Sequence, residues 1–263
     1  MRIAVCVKQV PVEADLRMEE GRWTLIRKGV PSRINPHDLQ ALEMALTFRE
    51  AHGGDVLVLT MGPPESEEAL REALAMGADQ GVLVTDPAFS GSDTLATSAV
   101  LARAIGRLDP SPDLILCGTR TTDSDTGQVG PQVAEELGLP HVAYVTEVRR
   151  GEQGIIVARR VDRQRETLRV PLPALLTVLQ SPSRPRDIPL SSVEAAFGNK
   201  GIGRWNAEDL GFEPHEVGLS GSATRVRRIR EPEAGRKTRL VQGSASEAVQ
   251  AIVQALRERY IVD

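Results

Sequence analysis

The sequence predicts an α/β fold, a mostly parallel sheet with helices on both faces, followed by a small antiparallel excursion and a C-terminal arm that ends in a helix. Three observations predict it. Short apolar runs alternate with helix-like segments four times between Ile3 and Leu137, the pattern of a parallel sheet with crossover helices. The stretch Asp113–Leu137 compresses that pattern into strand, polar loop and helix. After Pro140 the alternation stops and three strand-like runs follow with short turns between them, which suits antiparallel pairing.

Ile3–Val7 is β-branched at Ile3, Val5 and Val7 and reads as a buried strand. Residues 12–34 are polar with Trp23–Ile26 inside, a small hairpin or excursion. Asn35-Pro36-His37-Asp38 opens a helix whose apolar side is Leu39, Leu42, Met44 and Leu46, and Gly53-Gly54 end it. Val56–Met61 is the next strand; Pro63-Pro64 and Ser66 precede a helix through Met76 that Gly77 stops. Gly81–Thr85 is a strand, and Gly91-Ser92-Asp93-Thr94 caps a helix over Leu95–Gly106, with Leu95, Val100, Ala102 and Ile105 on its buried side. Residues 109–113 (DPSPD) link it to strand Leu114–Cys117, loop Gly118–Gly127 and a helix carrying Val129, Val133 and Leu137 on one stripe. Gly138 and Pro140 stop that helix.

Val142–Val148, Gly154–Val161 and Glu166–Val170 read as strands, and Ala174–Leu179 as a buried strand that rejoins the sheet. Ser181–Pro189 is rich in Pro and Arg and reads as an exposed loop, with a short helix over Ser191–Phe197. Residues 198–243 are polar and Gly-rich with few core residues, an arm that needs another surface to rest on. Ser244-x-x-Glu247 is a capping box for a last helix with Val249, Ile252, Val253 and Leu256 on one side. The expected division is an α/β domain over residues 1–190 and an arm with its helix over 191–263. Arg225, Arg227, Arg228 and Arg230 form a basic run, read as a solvated strand edge with an acidic partner as the competing reading.

In a parallel sheet, ligands sit beyond the carboxyl ends of the strands. Those ends are Cys6–Lys8, Met61-Gly62, Thr85 and Cys117-Gly118, so Cys6, the NPHD segment, Met61 and the 118–130 loop should converge on one crevice. The helix after the loop offers unpaired N–H groups and a partial positive charge, where a phosphate fits. Gly127 and Gly130 let the backbone come close to a ligand, and Thr122, Ser124, Thr126 and Gln128 add donors. The loop matches neither the P-loop nor the Gly-x-Gly-x-x-Gly pattern. The competing reading is that Thr121, Thr122 and Ser124 cap the helix and the glycines make a turn. Asp123 and Asp125 alone are a poor cage for a hard cation.

The net charge of −4 and 3% aromatic content argue against a nucleic-acid or acidic-membrane surface. Two cysteines, Cys6 and Cys117, do not make a disulfide framework. No signal peptide is visible and no apolar run approaches the ~20 residues that span a bilayer, so a reduced cytoplasmic protein is expected. There is no Gly-x-Ser-x-Gly elbow. The four histidines, His37, His52, His141 and His215, lack Cys, Asp or Glu at metal-ligand spacing, and His37 reads as a turn residue rather than a base. A nucleotide crevice without an acid–base set suits a binder or carrier, with any redox chemistry on a cofactor.

Several segments together resemble the β subunits of electron transfer flavoproteins over essentially the whole chain: MRIAVCVKQVP, NPHDLQALEMAL, LTMGPP, LREALAMGAD, GSDTLATS, DLILCG and DSDTGQVGPQVAEELGLP. In VARRVDRQRETLRVPLPALLT the family's Arg159, Asp162, Glu166, Pro173 and Thr177 are in place, while Arg163 and Gln164 stand where acidic or glycine residues are usual. The resemblance implies a Rossmann-like, adenine nucleotide α-hydrolase-like fold. It also implies an α subunit that holds most of a FAD and on which residues 191–263 pack. Electrons would come from acyl-CoA and related dehydrogenases, as in fatty acid oxidation, and go to a quinone oxidoreductase. The β subunit itself would bind AMP or, in the bifurcating type, a second FAD.

The implied nucleotide-binding positions are Cys6, Asn35, Pro36, His37, Asp38, Met61, Gly118, Thr119, Arg120, Thr121, Thr122, Asp123, Ser124, Asp125, Thr126, Gly127, Gln128, Val129 and Gly130. Ser92, Asp93, Thr94 and Thr97 would approach a second flavin. The partner-recognition loop matches Ser183–Ser191, with Ile188 as its apolar anchor, or as a residue packed on its own domain. The alternative function is a stand-alone ATP- or AMP-binding module of universal-stress type, which leaves the arm unexplained. A nucleotide-using enzyme is the third reading and lacks acid–base candidates.

Overall fold

The structure, a computed structural model, describes residues 1–12, 31–179, 184–198, 201–227, 240–259 and 261. The tip of the expected excursion and Arg228 and Arg230 of the basic run lie outside the described residues. The chain forms two units, Met1–Arg227 and Arg228–Asp263.

The first unit runs β1 (Arg2–Cys6), β2 (Gln9–Pro11), β3 (Ser32–Ile34), α1 (Pro36–His52), β4 (Asp55–Met61), α2 (Glu67–Met76), β5 (Gln80–Val84), α3 (Thr94–Gly106), β6 (Leu114–Gly118) and α4 (Val129–Glu136). It continues with β7 (His141–Gly151), β8 (Gly154–Val161), β9 (Gln164–Val170), β10 (Ala174–Val178), α5 (Leu190–Gly198), β11 (Ile202–Trp205) and α6 (Gly218–Gly221). Among the described residues nine strands form one sheet in the order β11-β5-β4-β1-β6-β10-β7-β8-β9. Neighbours from β11 to β7 are parallel; β7, β8 and β9 are antiparallel. The small β2–β3 pair is antiparallel and forms the base of the expected excursion.

Two cores follow from the period of two along each strand. Ile3, Val5, Val56, Val58, Leu114 and Leu116 face one core with α1 and α2 residues such as Leu42, Leu46, Leu70 and Leu74. Ala4, Leu57, Leu59, Ile115 and Cys117 face the other with Val100, Ile105 and Val133 of α3 and α4. Leu95, expected on the buried side of α3, is 43% exposed: the buried side begins one residue later, with Ala96 at 2% and Val100 at 0%. Residues 202–217 also depart from the expected arm. β11 adds in parallel to β5 at the sheet edge, and Ala207, Leu210 and Val217 are buried in the second core.

The first turn of α1 is pinned to the strand ends. Asn35 is its N-cap and Pro36 its first residue, a position where the missing N–H costs nothing. Asp38 is buried; one carboxylate oxygen accepts from Lys8 N–H at 2.9 Å and the other from Gly118 N–H at 2.8 Å. The exits of β1 and β6 are thus clipped to one side chain. Gly118 permits this approach, because a Cβ there would lie 2.4 Å from Asp38 Oδ1 and 2.6 Å from His37 Cβ.

The second unit holds α7 (Ala245–Arg257). Its capping box is formed: Ser244 N–H donates to Glu247 Oε2 at 2.8 Å, and Glu247 N–H to Ser244 Oγ at 3.4 Å. No residue of α7 is buried, and Val249 and Ile252 of its apolar stripe are 59% and 50% exposed.

Two outcomes are expected. A Cβ on Gly130 would lie 2.6 Å from Thr177 Cγ2 and 2.8 Å from Cys117 Sγ. Gly130→Val therefore wedges α4 off β6 and β10 and should destabilise the chain by about 2 kcal/mol or more, read as a lower denaturation midpoint; an unchanged midpoint would contradict the close packing. Burial pushes the Asp38 carboxyl up to about 7, although the Lys8 and Gly118 N–H groups oppose the shift. The folded state then holds this proton more tightly than the unfolded chain, whose carboxyl titrates near 3.8. The Asp38 contribution to stability should fall as pH rises from about 4 to about 7 and stay level above. Denaturation of wild type and Asp38→Asn across that range checks it: the stability of wild type relative to the variant should decline up to neutrality, and a constant difference would refute it.

Candidate functional site

The strand order reverses at β1. From β1 the chain moves outward through β4 and β5, then returns on the other side of β1 as β6. The crevice of such a sheet opens at that switch point, at the carboxyl ends of the strands. Cys6 and Cys117 are register partners there, and Asp38 bridges the same two strands.

The loop after β6 is held from below. Asn35, fully buried, donates from Nδ2 to the Arg120 carbonyl at 2.9 Å and accepts Thr122 N–H on Oδ1 at 3.2 Å. Thr119 is buried and donates both its N–H and its hydroxyl to the Val178 carbonyl, each at 2.9 Å, tying the loop to β10. Lys8 reaches Asp123 at 2.7 Å. Arg120 pairs with Asp125 at 3.1 Å on the exposed side. Thr121 and Ser124 hydroxyls lie 2.8 Å apart. Asp125 and Gly127 adopt positive φ, 52° and 65°, and turn the chain into α4. Thr126 is exposed.

The cap of α4 bears on the two readings of the loop. Gln128 is the N-cap and makes no side-chain cap bond; the loop hydroxyls of Thr121 and Ser124 bond each other. The first N–H groups of α4, those of Val129 and Gly130, therefore have no side-chain cap, and Pro131 contributes none. Gln128 Oε1 instead accepts from Thr94 Oγ1 at 3.0 Å, joining the α3 and α4 N-termini. Both loop carboxylates, Asp123 and Asp125, carry a cation partner. An anionic ligand at this mouth would meet backbone N–H groups and hydroxyls rather than unpaired carboxylates, which fits a phosphate group.

The other expected residues fall as follows. Cys6 ends β1, half-buried, and burial followed by the Asp38 charge pushes its thiol up to about 12; the Cys117 thiol is raised well above its ordinary value. Neither is a ready thiolate. His37 is not in a turn: it is a buried residue of the first turn of α1, its pKa lowered by burial and then by Arg120. Met61 ends β4 and packs on the second core. Ser92 donates to the Phe89 carbonyl at 2.8 Å. Asp93 caps α3 through Ala96 N–H at 3.0 Å and also accepts Thr224 N–H and hydroxyl at 2.8 and 2.9 Å. Its carboxylate is thus engaged within the chain. Thr97 is half-buried on α3. The Cα of Gly130 packs closely on the sheet, with a Cβ there meeting Thr177 and Cys117, while its backbone belongs to the first turn of α4. Ile188 is half-buried against the first core, far along the chain from the loop.

Lys8 is the residue the sequence reading missed. Its place two residues past β1 was legible, its partner Asp123 was not. Ser98 was missed as well: buried on α3, its Oγ lies 2.7 Å from the Thr94 carbonyl and 3.1 Å from Gln132 Oε1 of α4. Of two cavities, one of about 450 Å³ between α3, α4 and residues 209–212 lies away from the strand ends, and one of about 430 Å³ between α1 and β7 reaches the end of β10 at Val178 and Leu179. The convergence of polar groups favours the strand ends as the site. Among the described residues no three His, Cys, Asp or Glu side chains are grouped to hold a metal ion, and no helix is long and apolar enough to cross a membrane.

The family model described as Electron transfer flavoprotein domain matches residues 22–209. The "Electron transfer flavoprotein subunit beta" of Thermoanaerobacterium thermosaccharolyticum is 42% identical over 262 residues, covering 100% of both chains. The "Caffeyl-CoA reductase-Etf complex subunit CarD" of Acetobacterium woodii is 40% identical over 264 residues, again 100% of both. "Protein FixA" of Azorhizobium caulinodans is 42% identical over 268 residues, 98% of this chain and 95% of that one. A parallel sheet with its polar crevice at the β1–β6 switch, and likeness running the full length of these relatives, lead to one assignment: the chain belongs to the electron transfer flavoprotein family, among its β subunits.

Proposed function

We propose that this chain is the nucleotide-holding half of a heterodimeric carrier. In that reading an α subunit holds most of a FAD. The pair takes electrons from acyl-CoA and related flavin dehydrogenases and passes them towards a quinone oxidoreductase, and the β crevice binds an adenine nucleotide, AMP or a second FAD. The observation that carries it is the α4 N-terminus without a side-chain cap, at the end of a loop held by Asn35 and Lys8 over the strand ends. A relative named for a reductase–Etf complex supports assembly with a dehydrogenase-type partner.

The bound flavin would supply the redox chemistry, accepting and passing electrons. The chain's own part is to bind and to orient. Asn35 and Lys8 fix the loop, Thr94 and Gln128 join α3 to the same mouth, and Asp38 keeps the strand exits together. Asp38 and His37 are buried in the first turn of α1 and are not arranged as solvent-facing bases. This suits a carrier rather than an independent catalyst.

The partner loop is also held. Arg186 donates its backbone N–H to Glu43 at 3.0 Å and its guanidinium to both Glu43 and Glu50 of α1. Ile188 lies two residues beyond this staple, with Leu190 and Phe197 of α5 84% and 61% exposed beside it in sequence. A half-buried Ile188 both packs on its own domain and stays within reach of a partner.

Two measurements test the proposal. The chain, purified with its partner subunit and denatured, should release adenine nucleotide beyond the one FAD of the α subunit. One FAD with one AMP marks a simple carrier; two FAD mark a redox-active β site; one FAD with no AMP removes the crevice from the mechanism. Ile188→Ala should slow electron uptake from an acyl-CoA dehydrogenase by about tenfold, the loss of one apolar anchor, with flavin content unchanged. A wild-type rate would confine Ile188 to its own core.

A further inference from the structure

The Lys8–Asp123 ion pair joins three segments of the crevice through one residue. The Lys8 N–H donates to Asp38 at 2.9 Å, its carbonyl accepts Asn35 N–H at 2.9 Å, and its ammonium lies 2.8 and 2.7 Å from the two Asp123 oxygens. Strand exit, helix cap and loop therefore meet on Lys8. The Asp123 side chain is 2% exposed and that of Lys8 32%. A carboxylate so buried is tolerated only when it is paired, so moving the middle of the loop outward must strip Asp123 of its cation. Asn35 holds the first part of the loop by its backbone at Arg120 and Thr122. The Lys8 pair holds the next residue by its side chain. Beyond it the loop runs to the N-terminus of α4.

From this geometry we infer that Lys8 is a positioning residue for the bound nucleotide. Its pair with Asp123 latches the loop in the arrangement that presents the α4 N-terminus, and nucleotide leaves when the latch opens. The inference rests on the reading that the crevice holds an adenine nucleotide. Lys8 acts here through Asp123 and not as a direct phosphate contact, and the two roles separate cleanly. If Lys8 acted by its own charge on the ligand, removing the Asp123 charge would free it and would leave retention unchanged or improved. If it acts as a latch, either half of the pair is needed.

The test uses the complex of this chain with its partner subunit, loaded with radiolabelled AMP or FAD and chased with unlabelled nucleotide. Lys8→Met and Asp123→Asn should each speed release by about tenfold or more, the loss of a hydrogen bond between charged groups. Lys8→Arg should hold release within about threefold of wild type, because the guanidinium keeps the charge and the donors. The double variant should release no faster than Lys8→Met, since the pair can be broken only once. Association rates should change by less than about threefold. If Lys8→Met fails to fold, the nearly isosteric Asp123→Asn carries the same test. Release at the wild-type rate in Asp123→Asn, or in a folded Lys8→Met, overturns the latch. A wild-type complex that retains neither probe overturns the crevice reading itself, a failure distinct from a wild type that retains the probe while the variants retain it equally well.

Discussion

The buried Asp38 carboxylate is the constraint on which the crevice depends. It draws the backbone N–H groups of Lys8 and Gly118 onto its two oxygens, and so fixes the first turn of α1 against two strands at once. A charged group in this position is expensive unless its hydrogen bonds are met. Here backbone donors on both oxygens offset that cost in part, and burial still holds the carboxyl up to about 7. Position 118 must then be glycine, because any side chain there collides with Asp38 and His37. Asn35, three residues before Asp38, is carried to the place where its amide reads the loop backbone at Arg120 and Thr122. Shifting α1 by one residue would lose all of these contacts together. The crevice is therefore a property of one helix start, and the loop inherits its position from it.

The sequence made the centre of the parallel sheet legible because β1, β4, β6 and β10 are buried on both faces and read as short apolar runs between turn signals. The NPHD start of α1, the Gly77 stop of α2 and the Ser244 capping box were legible for the same local reason. What stayed hidden was long-range or directional. Lys8 and Asp123 are 115 residues apart in the chain, and no local pattern pairs them. At Gly130 only the direction of the absent Cβ, toward Thr177 and Cys117, reveals that glycine is also needed for the helix to pack on the sheet. β11 spans four residues with none buried, so its alternation is too short to register. It exists because β5 offers it an open edge.

The polar chemistry of the crevice is spent on holding. Asp38 is satisfied by backbone, Asp123 by Lys8, Asp125 by Arg120, and Asn35 by the loop itself. Little is left to move protons. A site built for acid–base work keeps a group near neutrality with access to substrate. The group that titrates near neutrality here is sealed under α1 instead. Electron transfer between bound cofactors asks for fixed distances and orientations. Interlocked tethers that leave the α4 N-terminus free of a side-chain cap meet that demand, and the proposed carrier role follows from this economy more directly than from any single residue.

The apolar surface follows the same logic. α7 is amphipathic by sequence and carries a formed capping box, yet no residue of it is buried. Leu190 and Phe197 stand out on α5, while Arg186 holds the preceding loop to Glu43 and Glu50. Single exposed apolar residues are ordinary. A stripe at helical spacing is different, because the sequence has paid for an apolar face that its own unit does not cover. On the proposed reading the α subunit covers the α7 stripe. The same helix α1 that sets the crevice at its first turn also carries the Glu43 and Glu50 staple further along. The crevice and the loop that carries Ile188 are thus referenced to one element, so on the proposed reading a partner docked at Ile188 would meet a cofactor site whose position is already fixed.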